Sequence, residues 1–252
     1  YISGIDTYGN ISSVSRSDVN ILAVVNPKTS QILLVSIPRD YYVQLHGTTG
    51  VRDKLTHAGI YGIDTSIDTI NDLLDTKIDY FVRLNFSTLT KSIDLLDGID
   101  VYSDREFTPW TNKNITIKKG MNHMNGETAL AFARERHAYE SGDRHRGENQ
   151  QEIITAMINK MTDKNYITKY KDILTSLDGS FETSMRYEEM TNLFKMQINN
   201  NIKWNITSIS LDGTGSMQST YSMGDRKLYV MVPDENTVNN AKENINKVLN
   251  GK

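Results

Sequence analysis

The sequence predicts an α/β fold, a central sheet with helices layered against it. Three observations lead there. Strand-like and helix-like segments alternate along most of the chain, which is the pattern of a layered sheet. Two apolar runs rich in β-branched residues, 19–26 (VNILAVVN) and 31–37 (QILLVSI), are separated only by Pro27-Lys28-Thr29-Ser30. That spacing reads as a hairpin, so the sheet must be mixed rather than purely parallel. Third, several later segments place apolar residues three and four apart, as one face of a helix requires.

In chain order, Pro38 ends the second strand and leaves Arg39 and Asp40 at its tip. Residues 65–75 carry Ile67, Ile70, Leu73 and Leu74 at helical spacing, with Thr65 or Ser66 as N-cap. Residues 80–86 (YFVRLNF) read as a strand, 87–97 as a helix ended by Gly98, and 99–102 as a short strand. Residues 124–137 look helical at their start, and Gly142 marks a break. A long helix is expected over 147–164, with Ile153, Ile154, Met157, Ile158 and Met161 on its apolar face. Another helix follows at 187–199, then strands near 206–211 and 227–232, and a closing helix at about 235–249. No internal repeat and no linker is visible, so residues 1–252 are expected to form a single domain.

The totals exclude several classes. Without cysteine there is no disulfide and no thiolate chemistry. A formal charge of -3 argues against non-specific binding to nucleic acid. No run of 18 apolar residues is present, so nothing in this sequence reads as a transmembrane helix.

Against that acidic background, one stretch is locally basic. Residues 133–151 (ARERHAYESGDRHRGENQQ) gather Arg134, Arg136, Arg144 and Arg146. Arginine offers a planar fork of donors that matches carboxylate or phosphate oxygens. Such a stretch can also be a solvated surface, or an ion-pair set with Glu127, Glu135, Glu140 and Glu148. Arg134 and Arg136 are two apart, and each residue turns a helix by ~100°. Either the helix ends near Arg134, or only one of the pair faces a given ligand. Arg146 and Gln150 are four apart and share a face of the next helix. Asp6, in GIDTYG, and Asp18, in SRSD, lie in polar segments; two carboxylates can hold Mg2+ when phosphate oxygens and water fill the rest of its shell. Aspartate at a turn is also an ordinary turn former. His123 and Glu127 sit at helical spacing, but a third ligand for a metal is missing.

GIDTYG, SRSDVNILAVVN, SIPRD, Asp53-Lys54, NGETALAFARERH and GDRHRGENQQ occur in this order, and together they resemble the motifs of the LytR-CpsA-Psr cell-envelope phosphotransferases, the capsule type closest. The resemblance runs from about residue 4 to residue 160. It implies an α/β/α sandwich with a hydrophobic pocket for a polyprenyl chain. It implies an extracytoplasmic domain, tethered to the membrane by an N-terminal helix outside this sequence. The implied activity is Mg2+-dependent transfer of a glycopolymer, such as a capsular polysaccharide, from a polyprenyl pyrophosphate to peptidoglycan. Carried over by position, Asp6 and Asp18 would be metal-associated. Arg16, Arg39, Lys54, Arg134, Arg136, Arg146 and Gln150 would contact the pyrophosphate, and Asp143 would lie near the head group as candidate proton acceptor. Two places depart from the pattern: Asn149 stands where the family often has arginine, and LTHAGIYG (55–62) where an asparagine-alanine pair and a glycine doublet are usual. The competing readings are hydrolysis of the pyrophosphate, and a non-catalytic lipid or polysaccharide binder. Apolar faces of the 67–74, 89–96 and 153–161 helices are the expected tunnel walls, unless they simply fill the core.

Overall fold

The computed structural model describes residues 1–8, 11, 14–140 and 142–251; Gly9 of GIDTYG and Ser141 lie outside them. The chain starts with β1 (Ile2–Ile5), then forms the hairpin β2 (Val19–Asn26) and β3 (Gln31–Ser36). The short pair β4 (Tyr42–Val43) and β5 (Asp53–Lys54) leads into α1 (Leu55–Ala58) and α2 (Ile63–Leu74). Next come β6 (Val82–Asn85), α3 (Phe86–Leu95), β7 (Ile99–Ser103), β8 (Gly120–Met124) and α4 (Gly126–Arg134). Helices α5 (Asp143–Thr162), α6 (Lys164–Ile167) and α7 (Tyr170–Leu177) follow. The remainder is β9 (Glu182–Thr183), α8 (Tyr187–Asn200), β10 (Asn205–Ser210), β11 (Gly213–Thr220), β12 (Gly224–Pro233) and α9 (Glu235–Leu249).

The central sheet runs β10-β3-β2-β1-β6-β9. It is mixed: β1 pairs antiparallel with β2 and parallel with β6, while β3 pairs antiparallel with β2 and parallel with β10. Alternation along β2 and β3 sends their side chains to two faces. Leu22, Val24, Leu33 and Val35 meet α2 and α9 through Ile70, Leu74, Val238, Ala241 and Ile245. Ile21, Ile32 and Leu34 meet Ile154 and Ile158 of α5. Helices therefore cover both faces, and the α/β/α expectation holds. A further core joins α3, α4, α5 and α7 with β7 and β8 through Ile93, Phe132, Ile153 and Ile173.

Close backbone approaches use glycine. A Cβ on Gly4 would stand 2.8 Å from Val19 Cβ across the β1–β2 pair, and one on Gly126 would stand 2.3 Å from Thr90 O. The second contact lets the start of α4 lie directly on α3.

Some boundaries differ from those expected. The helix expected from residue 65 begins at Ile63 with Gly62 at its N-cap, so neither Thr65 nor Ser66 caps it. The segment expected to turn helical at 124 is still β8 there; α4 begins after Asn125, whose side chain accepts the Thr128 N–H. The long helix begins at Asp143 rather than 147, after Gly142 turns the chain at φ +45°. Asp143 in its first turn complements the partial positive charge of the helix start.

Candidate active site

Strand ends and helix ends bring the charged residues together. Asp6 follows β1, Asp18 precedes β2, Arg39 follows β3, Arg134 ends α4, and Arg146 and Gln150 lie on the first turns of α5. Seven of the nominated residues, Asp6, Asp18, Arg39, Arg134, Arg136, Arg146 and Gln150, line one open cleft of about 1140 Å3. Helix α4 ends at Arg134, and Glu135 is extended. That geometry lets both Arg134 and Arg136 reach the cleft, so the first of the two alternatives for this pair is the one realised.

An apolar cavity of about 580 Å3 opens from the same place. Its walls are Ile2 and Ile5 of β1, Val19 and Ile21 of β2, Leu84 of β6, Leu89 of α3, Leu130 of α4, and Ile153 and Ile154 of α5. Asp6, Asp18, Phe86, Arg134 and Gln150 line both cavity and cleft. The Arg134 guanidinium lies 4.5 Å from the centre of the Phe86 ring, so a cation stacks on an aromatic face at the junction. The expected walls need one correction. Residues 67–74 of α2 pack with α9 on the opposite face of the sheet and form no part of this cavity. Met157 and Met161 turn instead into the core under α3 and α7.

The ion pairs show how the charges balance. Arg39 Nη1 donates to Asp18 at 2.7 Å. Asp143 lies 3.0 Å from Arg146, 3.8 Å from Arg136 and 3.9 Å from Arg39. Arg134 approaches Asp6 only at 3.9 Å. Burial disfavours the Arg39 charge, but Asp18, Asp40 and Asp143 more than offset it, and its pKa is raised. Arg146 is pushed the other way. Burial lowers its pKa, Asp143 opposes that, and the neighbouring charges of Arg39 and Arg136 add to the lowering. An anion beside this partly buried cation would favour its charged form, as Asp143 already does.

Of the glutamates that could have neutralised the arginines, Glu148 takes Arg144 and His145, and Glu127 accepts from Asn112. Glu135 is 1% exposed and holds backbone instead. Its Oε1 accepts the N–H groups of Arg136, His137 and Ala138, and its Oε2 accepts that of Trp110. Burial would raise its pKa, but those four donors prevail and lower it. Arg144 is taken by Asp212 at 2.7 Å.

Two nominated residues stand apart from the cleft. Arg16 is exposed and lines neither the cleft nor the apolar cavity. Lys54 points at Asp40, 2.7 Å away, and Asp40 in turn lies 3.5 Å from Arg39. Lys54 thus supports Arg39 from behind. Its strand β5 is anchored by the buried Asp53, which accepts from His57 Nδ1 and from the Ser222 hydroxyl. His123 pairs with Asp100 at 2.8 Å rather than with Glu127, and no group of three potential metal ligands occurs among the described residues.

Asp6 and Asp18 fit Mg2+ in the minimal sense. Both face the cleft, Asp6 with half its side chain exposed, and Mg2+ needs only one or two carboxylates when phosphates complete its shell. Sequence reasoning missed Trp110 and His137. Both line the cleft, and their rings lie 4.9 Å apart. An isolated tryptophan in the polar Thr-Pro-Trp-Thr loop was the one available signal.

Comparisons with known proteins place the chain in a family. The LytR_cpsA_psr family matches residues 1–246. The chain belongs to this family. The match extends well past residue 160, where the motifs visible in the sequence stop. A protein of Bacillus cereus named polyisoprenyl-teichoic acid–peptidoglycan teichoic acid transferase TagU is 33% identical over 233 residues, 92% of this chain and 72% of its own length. One of the same name from Enterococcus faecalis is 32% identical, over 87% of this chain and 71% of its own. Among solved structures, B. subtilis TagV superposes with TM-score 0.81 at 29% identity, covering 99% of this chain and 95% of its own. TagT bound to LIIa-WTA gives 0.78 at 26%, covering 99% and 89%.

Proposed function

We propose that this chain transfers a glycopolymer from a polyprenyl pyrophosphate carrier to a hydroxyl of peptidoglycan. The observation that carries the reading is the continuity of the apolar cavity with the arginine cleft across Arg134 and Phe86. A prenyl pyrophosphate has the same two parts in the same order. Burial of its chain contributes roughly 25 cal/mol per Å2 of apolar surface. Arg39, Arg134, Arg136 and Arg146 hold the two phosphates and stabilise the charge that grows as the bridging bond breaks. The acceptor oxygen attacks the phosphorus bearing the glycan. Prenyl phosphate departs with the bridging oxygen and its electron pair. Asp143, within 3.9 Å of Arg39, Arg136 and Arg146, is the candidate to take the hydroxyl proton. Mg2+, held by Asp6 and Asp18, would supply further neutralisation of phosphate charge when bound.

The relatives' names support a teichoic acid as the glycopolymer, whereas the capsule-type motifs favour a capsular polysaccharide. In this reading the domain works on the extracytoplasmic face of the membrane, anchored by a segment outside these residues. No helix among the described residues is long and apolar enough to cross a membrane. The test supplies prenyl-pyrophosphate-linked teichoic-acid and capsular repeat units, with and without peptidoglycan. Glycan bound covalently to peptidoglycan, with release of prenyl phosphate, is the expected result. Release of prenyl phosphate at the same rate without acceptor would favour hydrolysis. Binding without any turnover would leave only a lipid or polysaccharide binder.

A further inference from the structure

A second cavity of about 480 Å3, with polar side chains in most of its lining, lies beside the arginine cleft. Asp18 and Gln150 line all three spaces, while Arg39 and Arg146 line the cleft and the polar cavity but not the apolar one. The row of charged groups therefore separates the apolar cavity from the polar one. The sheet order says the same. The apolar cavity takes residues from β1 and β6, on one side of β2; the polar cavity takes Ser36 from the end of β3 and Ser210 from the end of β10, on the other side. Arg144 and Asp212, paired at 2.7 Å, line the polar cavity and neither of the other two spaces.

We propose that this polar cavity is the acceptor subsite, receiving the hydroxyl-bearing arm of an N-acetylhexosamine in a polysaccharide strand. The inference rests on the prenyl pyrophosphate reading above. Phosphoryl transfer runs in line, with nucleophile and leaving group on opposite sides of phosphorus. The leaving prenyl phosphate is fixed by its chain in the apolar cavity. The incoming oxygen must then arrive from the other side of the arginine row, where the polar cavity opens. Its lining suits a sugar: Ser36 and Ser210 offer hydroxyls, Arg144 offers donors and Asp212 acceptors, and Met231 offers an apolar patch. Asp143 lines this cavity and not the apolar one, so it faces the arriving hydroxyl. The acceptor O–P bond forms, the bridging P–O bond breaks toward the lipid, and the hydroxyl proton passes to Asp143.

The test fills the cavity from two walls, with Ser210→Leu and Gly147→Val; a Cβ on Gly147 would stand 3.0 Å from Ser36 Oγ. The half-exposed Arg144→Ala is the third variant, chosen because its fold is safe if either plug unfolds. Each is assayed with a prenyl-pyrophosphate-linked disaccharide as donor and soluble N-acetylhexosamine oligosaccharides as acceptor, and separately for geranylgeranyl pyrophosphate binding. The plugs should lower kcat/KM for the acceptor at least about tenfold, Arg144→Ala should raise the acceptor KM several-fold, and lipid affinity should stay within about twofold throughout. Wild-type transfer in folded plugged variants would overturn the assignment. So would an unchanged acceptor KM in Arg144→Ala, or equal losses in lipid binding. A wild-type protein that never transfers to any acceptor would instead refute the underlying transferase reading, and this inference with it.

Discussion

Replacing Glu135 tests whether a buried carboxylate builds the cleft. It touches no cleft residue through an ion pair; it organises two loops by accepting four backbone N–H groups. One loop carries Arg136 and His137, the other Trp110. A hydrogen bond to a charged group is worth about 1.5–3 kcal/mol, and a donor left buried without a partner costs a similar amount. The four are not additive, because some of the freed N–H groups would reach water. Glu135→Ala should therefore cost about 3–5 kcal/mol, at the upper end of single substitutions. Glu135→Gln keeps the shape but sets an amide N–H against a backbone N–H, either that of Trp110 or the three of residues 136–138, and should cost about 1–3 kcal/mol. The folded-state pKa of Glu135 lies below its ordinary value of 4.5. A depressed carboxylate contributes stability that is fully present above the unfolded pKa and is lost as pH falls through the folded one. Urea unfolding of wild type and Glu135→Gln from pH 7 downward reads this directly. The stability gap should be constant near neutrality and shrink below about pH 4 as the wild-type carboxylate protonates. A Gln variant within about 0.5 kcal/mol of wild type at pH 7, or a gap independent of pH, would refute the account.

Three further outcomes are expected. Asp18→Ala should remove the Mg2+ dependence of prenyl pyrophosphate binding in titration calorimetry; an unchanged dependence would count against Asp18 as a metal ligand. Arg146→Ala should weaken that binding about 10- to 100-fold, as loss of a charge-assisted contact does, while leaving the unfolding midpoint little changed, because a buried and repelled cation is removed with it. Affinity should rise from geranyl to farnesyl to geranylgeranyl pyrophosphate, by up to about 0.8 kcal/mol per buried methylene, until the cavity is full. Equal affinities across the series would mean that the arginines act alone.

What the sequence made legible was whatever local chemistry decides. The β2–β3 hairpin follows from two β-branched runs and a Pro-Lys-Thr-Ser turn, and α9 from amphipathic spacing after Asp234, whose side chain caps it. Strand β1 has no strand signal of its own, because its four residues include Ser3 and Gly4; pairing with both β2 and β6 makes them a strand. Helical periodicity told that α2 buries one face but not which side of the sheet receives it, and so its residues were assigned to a cavity on the opposite side. The arginines were legible by type and density. Arg16 and Lys54 were carried along by motif position, although a side chain near a motif need not turn toward the site: Lys54 is captured by Asp40.

Glu135 shows most sharply why the site could not be completed from sequence. Set between Arg134 and Arg136, it reads as the counter-charge of one of them. Helix α4 ends just before it, which frees the N–H groups of residues 136–138 from helical partners, and its carboxylate turns back to accept them. Once its charge is spent on backbone, it cannot neutralise the flanking guanidinium groups. Glu148 and Glu127 are occupied elsewhere. Asp143 is left to serve Arg136 and Arg146, and it shares Arg39 with Asp18 and Asp40. The positive charge that remains is thus a consequence of where a helix stops, and it lies at the mouth of the apolar cavity, where the pyrophosphate of a prenyl carrier would supply the missing negative charge.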